Sequence, residues 1–240
     1  MANHLNAGSL FVILCTGILP PLLWLWFWLK EDKLRPEPRK LLILSFFVGA
    51  LAVILVLPFQ ALANNLLAPG IALLFVWAGL EELVKLGVAF FVDFRKKTYD
   101  EPVDAMIYLL TVALGFSAFE NILFLLKSYG DGGLEAGLTT ASMRFLGATL
   151  LHVFSSSILG GIIAISFCKN RRIKLYYALM GLIVASVLHT LFNFFIINQD
   201  LQTGTGNILV VFLALWIGVL GLLLFFEKIK TITCKIKIKN

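Results

Sequence analysis

Apolar residues dominate this 240-residue chain in runs of about twenty, parted by short polar connections. A run of that length is what an α-helix needs to cross roughly 30 Å of hydrocarbon. The runs fall at about 8–29, 41–62, 70–92, 103–127, 140–167, 175–197 and 207–226, and they predict an all-α fold, a polytopic membrane helix bundle of about seven transmembrane helices. The first run contains Pro20 and Pro21, where a kink is expected because proline lacks an amide proton and crowds the preceding turn. That run is too long for a cleaved signal peptide and lacks its basic leading segment. No internal repeat, low-complexity tract or long linker divides the chain. Residues 1–240 therefore read as one transmembrane domain, ending in a last helix at 207–226 and a basic tail at 227–240.

Composition supports that frame, since 60% of residues are hydrophobic, 14% are charged and the mean hydropathy is +0.93, leaving no room for a large soluble domain. The formal net charge of +6 does not imply nucleic-acid binding, because the basic residues sit in short loops beside apolar runs. Segment 30–40 holds five of them, 93–101 three, 168–174 four and the tail after 227 five, so seventeen of twenty fall in alternate connections. The positive-inside rule then predicts a multi-pass cell-membrane protein with an extracytoplasmic N-terminus and a cytoplasmic C-terminus. Lys228, Lys230, Lys235, Lys237 and Lys239 of the tail are expected on anionic lipid head groups. Cys15, Cys168 and Cys234 are few and widely spaced, which suggests neither a disulfide framework nor a Cys-rich zinc site.

The chemistry lies where the apolar runs are broken. Glu81, Glu82 and Lys85 in GLEELVK, Glu120 in FSAFEN, His152 in ATLLH and His189 in SVLHTLFN place ionisable groups near the middles of four runs. Each such group costs at least about 2.5 kcal/mol at mid-bilayer, so a functional site facing the bundle interior is the default reading. At about 1.5 Å of rise per residue, all four positions fall roughly 10–18 Å below the outer surface. Groups on four helices of alternating direction share a depth when they meet. Glu81 and Lys85 are i,i+4 and Glu82 and Lys85 are i,i+3, so one ammonium neutralises part of two acids that point about 100° apart and are expected to differ in role. His189 and Asn193, also i,i+4, share a face from which both can donate to an oxyanion. Asn121 cannot share the face of Glu120 and reads as a helix–helix hydrogen bond.

Plainer readings exist for each residue alone. A Glu–Lys pair can be structural, and a single intramembrane His can be an interhelical hydrogen bond. Phe116, Phe119 and Phe124 read as packing or lipid-facing residues, and Gly160 and Gly161 as a point of close helix approach. Ser155, Ser156 and Ser157 read as ordinary membrane serines bonded to the preceding turn. What resists the plain account is the conjunction of two Glu sites and two His sites at one depth.

Taken together, EELVK at 81–85, DEPVDAMIY at 100–108 leading into GFSAFEN at 115–121, Arg144 eight residues before His152, and HTLFN at 189–193 resemble the PrsW family of intramembrane proteases. Lys30-Glu31-Asp32 followed by Glu37-Pro38 is similar too, and the motif-bearing core spans about 20–197. Ala105 stands where that family has Gly. The resemblance implies a site-one type protease that cuts a membrane-anchored protein, such as an anti-sigma factor, near its extracytoplasmic side. The family is distantly similar to the CAAX-processing endopeptidases, whose motifs carry Arg after the paired Glu and His where this chain has Glu120, which argues against prenyl substrates.

The mechanism expected on this basis is hydrolysis by a glutamate-activated water. Glu81 or Glu82, helped by Glu120, is the expected general base, and His152 and His189 with Asn193 orient water and stabilise the oxyanion. Lys85 holds the second glutamate, and Arg144, Asn121 and Asp104 support the site. No cofactor is required in this preferred reading. In a zinc variant Glu81, Glu120, His152 and His189 supply the ligands, although HExxH is absent. The same buried Glu, His and Lys also suit a proton-coupled transporter or a noncatalytic scaffold. The absence of an inverted repeat lowers the transporter reading.

Overall fold

The computed structural model describes residues 6–32, 35–197 and 206–234. All regular structure among the described residues is helical: α1 (Ala7–Glu31), α2 (Arg39–Leu66), α3 (Ile71–Val92), α4 (Asp104–Met143), a π-helical turn (Arg144–Ala148), α5 (Thr149–Ile165), α6 (Arg171–Ile197) and α7 (Gly206–Lys230). Each apolar run is helical. Five stretches are long and apolar enough to cross a membrane: Ala7–Glu31, Arg39–Leu66, Asp104–Ile165, Arg171–Phe195 and Leu209–Lys230. The surface is apolar in the same sense, with Phe11, Phe47, Leu51, Phe91 and Leu224 exposed, as lipid-facing side chains are in a multi-pass membrane protein.

The bundle is organised around α4, whose residues from Asp104 through Ala118 are all buried and which packs against α1, α2 and α5. Such all-round burial requires neighbours at backbone distance. A Cβ on Gly115 would lie 1.9 Å from the Phe46 carbonyl oxygen, and one on Gly49 would lie 2.3 Å from that of Val112, so α2 and α4 cross with their backbones in contact. Gly160 does the same between α5 and α4, its Cβ position lying 2.7 Å from the Ala105 carbonyl. Its neighbour Gly161 instead receives the Phe225 ring of α7.

One local expectation is corrected. Residues 128–139, expected as a connection, are helical apart from Gly133, whose φ of 72° and ψ of −157° are open to glycine at no steric cost. The chain reverses at that residue: Thr140 Oγ1 donates to Ser128 Oγ at 2.9 Å, whereas twelve helical residues would part them by about 18 Å. The reversal splits Asp104–Ile165 into two antiparallel legs and brings α5 back beside α4. Helix α1 runs on through Pro20 and Pro21.

The end of the bundle with the basic connections holds its own polar layer. Ser45 Oγ lies 2.8 Å from the Leu41 carbonyl and 2.5 Å from Asp93 Oδ1, and one hydroxyl proton cannot serve both. The contact is satisfied when Asp93 is protonated and donates to Ser45. Burial agrees, pushing Asp93 up to about 7 against the opposing pull of the Ser45 hydrogen bond and Lys96. Burial also raises Glu37, hydrogen-bonded to Tyr108, and lifts Asp32 to about 6. Beside this layer Cys168 and Cys234 form a disulfide, with a Cα–Cα distance of 5.4 Å, although their wide spacing suggested no disulfide framework. The residues are 66 apart in sequence, and packing of α7 against α5 is what brings them together. Lys230 donates to the Glu31 carbonyl at 2.5 Å and to Glu227 at 2.6 Å, so its ammonium is held by protein. Lys235, Lys237 and Lys239 lie outside the described residues.

Candidate active site

Glu81, Glu82, Lys85, Glu120, Arg144, His152 and His189 converge in one buried cluster drawn from α3, α4, the π-helical turn, α5 and α6. The shared depth inferred from topology is thus a shared place. The reversal at Gly133 is decisive: along an unbroken helix, Glu120 and His152 would stand about 48 Å apart, yet His152 Nε2 lies 2.9 Å from Glu120 Oε2. The π-helical turn shifts the register of the returning leg, and Arg144 sits at its start.

The two adjacent glutamates occupy different surroundings. Glu82, fully buried, receives Lys85 Nζ at 2.8 Å, Ser155 Oγ at 3.1 Å and His189 Nδ1 at 3.1 Å on Oε1, and Ser156 Oγ at 2.8 Å on Oε2. Its acceptor capacity is nearly filled. Glu81 receives one hydrogen bond, from Gln60 Nε2 to Oε1 at 3.0 Å, and its buried Oε2 has no hydrogen-bond partner. That oxygen faces His189 Nε2 at 3.7 Å and Lys85 Nζ at 3.8 Å. Ser155 and Ser156 thus serve Glu82 rather than the preceding turn.

Proton positions follow from what each group can do. Lys85 is wholly buried and carries three protons with no acceptor, so His152 Nδ1, 2.8 Å away, must accept. The His152 proton is then on Nε2 and is donated to Glu120. His189 donates from Nδ1 to Glu82, and its Nε2 faces Glu81 Oε2 at 3.7 Å. Arg144 Nη2 donates to Glu120 at 2.5 Å and its Nε to Asn121 Oδ1 at 2.5 Å, while its guanidinium lies 4.3 Å from the Phe124 ring centroid. Asn121 reaches Gly17 O of α1 at 3.3 Å and Thr149 Oγ1 of α5 at 3.2 Å, the helix–helix role expected of it. Phe116 closes the floor, with Lys85 Nζ 4.6 Å above its ring.

Two residues expected to support the site lie apart from these contacts. Asp104 begins α4, sixteen residues before Glu120, where its Oδ2 accepts the amides of Asp100 and Glu101 at 2.9 and 2.7 Å. Asn193 follows His189 by one turn, half-buried, with no hydrogen bond to the cluster. Gln60, Trp77, Ser155, Ser156 and Thr149 touch the network without having been singled out for it. Neutral polar side chains are cheap enough in membrane helices to carry no warning in the sequence.

The donor set is also one that suits a metal ion. Glu81, His152 and His189 each present one ligand atom, and the three atoms lie within 4.8 Å of one another. The orphaned Glu81 Oε2 and the Nε2 of His189 that faces it are the atoms a cation would engage, whereas at His152 it would compete with Lys85 or Glu120.

Residues 37–220 match the model of a family described as PrsW family intramembrane metalloprotease. The chain belongs to the PrsW family. All the cluster residues fall within the matched stretch, and membership makes the chain one of a family of intramembrane proteases. It is 29% identical over 196 residues to Protease PrsW of Geobacillus kaustophilus, covering 80% of this chain and 82% of that protein. It is 26% identical over 188 residues to Protease PrsW of Bacillus subtilis, covering 77% and 83%. Against Protease PrsW of Oceanobacillus iheyensis it is 30% identical over 185 residues, covering 76% and 81%. No solved structure matches the chain.

Proposed function

We propose that this PrsW-family chain hydrolyses a peptide bond of a membrane-anchored protein, near the extracytoplasmic side, with Glu81 taking a proton from the attacking water. The observation that carries this is the asymmetry of the adjacent acids: Glu82 is consumed by four donors, whereas Glu81 keeps a buried, unpartnered Oε2. A general base must have a lone pair to offer. His189, held by Glu82, turns Nε2 toward the same space and orients the water there. His152 donates from Nε2 and fixes Glu120, and Arg144 offsets the charge that Glu120 brings. Lys85 balances Glu82 and Glu81, so the cluster has cations to set against three carboxylates.

Residues Glu81, His152 and His189 would hold a divalent metal, and such an ion, when bound, acidifies water and polarises a carbonyl. In either form Glu81 stands at the water and Glu82 behind His189. On the positive-inside rule, seven crossings, counting α3 and the two legs of Asp104–Ile165, would have the basic connections in the cytoplasm and the cluster in the outer half of the membrane. A site-one cleavage of a single-pass substrate such as an anti-sigma factor fits that placement.

Proteoliposomes containing a single-pass reporter test the reading. Wild type is expected to cleave it, and Glu81→Gln to lose at least about a hundredfold in kcat, on the scale of general-base catalysis. Undiminished cleavage by Glu81→Gln would overturn the assignment. Exhaustive chelation followed by zinc restoration separates the two forms: activity that survives chelation sinks the metal form, and activity lost and restored sinks the metal-free form.

A further inference from the structure

The geometry points to Gln60 as the positioning residue of Glu81: its carboxamide pins one carboxylate oxygen to α2 and so aims the other at the reacting water. This deepens the reading of Glu81 as the working carboxylate and rests on it.

Gln60 sits six residues before the end of α2, half-buried, and is gripped twice by α3. Trp77 Nε1 donates to its backbone carbonyl at 3.2 Å, and its own Nε2 donates to Glu81 Oε1 at 3.0 Å. Trp77 and Glu81 are four apart on α3, so both ties lie on one helix face and fix where the side chain can reach. It makes the one hydrogen bond that Glu81 receives among the described residues. A carboxylate held at one oxygen has one orientation for the other, and here that oxygen faces His189 Nε2 and Lys85.

The chemistry of the donor matters as much as its place. An amide N–H orients a carboxylate without cancelling its charge, as a second Lys or Arg would, and Glu81 keeps its basicity. Glu82 and Glu120, which have structural work to do, are met at hydrogen-bond distance by Lys85 and Arg144, whereas Lys85 stands 3.8 Å from Glu81. The neutral partner is matched to the acid left open.

Three substitutions separate positioning from packing. Methionine has nearly the shape of glutamine and no donor, glutamate has the shape but presents acceptors, and histidine restores a donor nitrogen at similar reach. With the single-pass reporter in proteoliposomes, Gln60→Met is expected to lower kcat about ten- to a hundredfold with KM unchanged, the scale on which misplacing a reacting group by about an ångström is felt. Gln60→Glu is expected to lower it further, and Gln60→His to return within about threefold of wild type. An activity-free reading accompanies these. The infrared carboxylate stretch that Glu81→Gln removes is expected to shift in Gln60→Met and to return toward its wild-type position in Gln60→His. An unmoved band, or equal losses in all three variants, overturns the proposal, and where Gln60→Met is not recovered folded, Gln60→Glu and Gln60→His carry the same comparison. Full activity of Glu81→Gln would sink the parent reading. An inactive Glu81→Gln beside a wild-type-like Gln60→Met sinks this inference alone.

Discussion

Replacing Lys85 by methionine is the sharpest test of how the cluster is held together. The ammonium is wholly buried, 2.8 Å from Glu82, 2.8 Å from His152 Nδ1 and 3.8 Å from Glu81. Its loss strands Glu82 and Glu81 in a low-dielectric bundle and removes two close hydrogen bonds, each worth about 1.5–3 kcal/mol when a charged group is involved. Methionine recovers part of this by filling the space over Phe116 without desolvating a charge, so the net cost should be about 3–4 kcal/mol, in the lower part of the range of about 3–5 kcal/mol for breaking one side of a buried ion pair. Lys85→Met combined with Glu82→Gln leaves no stranded charge at position 82 and is expected to be more stable than Lys85→Met alone by about 2 kcal/mol. The assay is equilibrium unfolding in mixed micelles, followed by helix content and Trp fluorescence, as a full double-mutant cycle. Costs that add within about 0.5 kcal/mol would show that Lys85 and Glu82 do not act as a pair and would refute the reasoning.

Three further outcomes follow from the rest of the fold. Burial holds Asp93 up to about 7 against its ordinary 3.8, so its contribution to stability is full below about pH 4 and is lost as pH rises through 7; at about 1.36 kcal/mol per unit the upper limit is about 4 kcal/mol, and Asp93→Asn should flatten that part of the stability–pH curve. A Cβ at Gly115 meets a backbone oxygen at 1.9 Å, so Gly115→Ala should cost about 1–3 kcal/mol or more, whereas Gly87→Ala, with open space around it, should be neutral or stabilising in the same unfolding assay. Closing 66 residues by the Cys168–Cys234 bond gives up to about 4 kcal/mol by chain entropy, less where membrane helices persist on unfolding; Cys15 alone should react with a thiol reagent before reduction, and reactivity of all three cysteines in the unreduced protein would contradict the pairing.

What the sequence made legible was set by cost. Glu81, Glu82, Lys85, Glu120, His152 and His189 stand out because an ionisable group inside an apolar run is expensive, Arg144 entered only through its spacing to His152 in the family resemblance, and the structure brings all seven together. Gln60 and Thr149 are nearly free to place there and stayed invisible, and Ser155 and Ser156 read as ordinary membrane serines, although they help decide that Glu82 is the anchored acid. Helical spacing showed that the adjacent glutamates face different ways, but which one is satisfied depends on what α5 and α6 present, and no pattern within α3 contains that. The Cys168–Cys234 pair was hidden for the same reason, since only the packing of α7 on α5 makes 66 residues short. Residues 128–139 read as a connection between two apolar runs, but a single left-handed residue at Gly133 suffices to turn the chain while its neighbours stay helical. That economy has a functional consequence. With the reversal confined to one residue, the returning leg lies back against α4, and the π-helical turn at Arg144–Ala148 then shifts its register, so that Arg144 and His152 both come within hydrogen-bonding distance of the same Glu120 carboxylate oxygen.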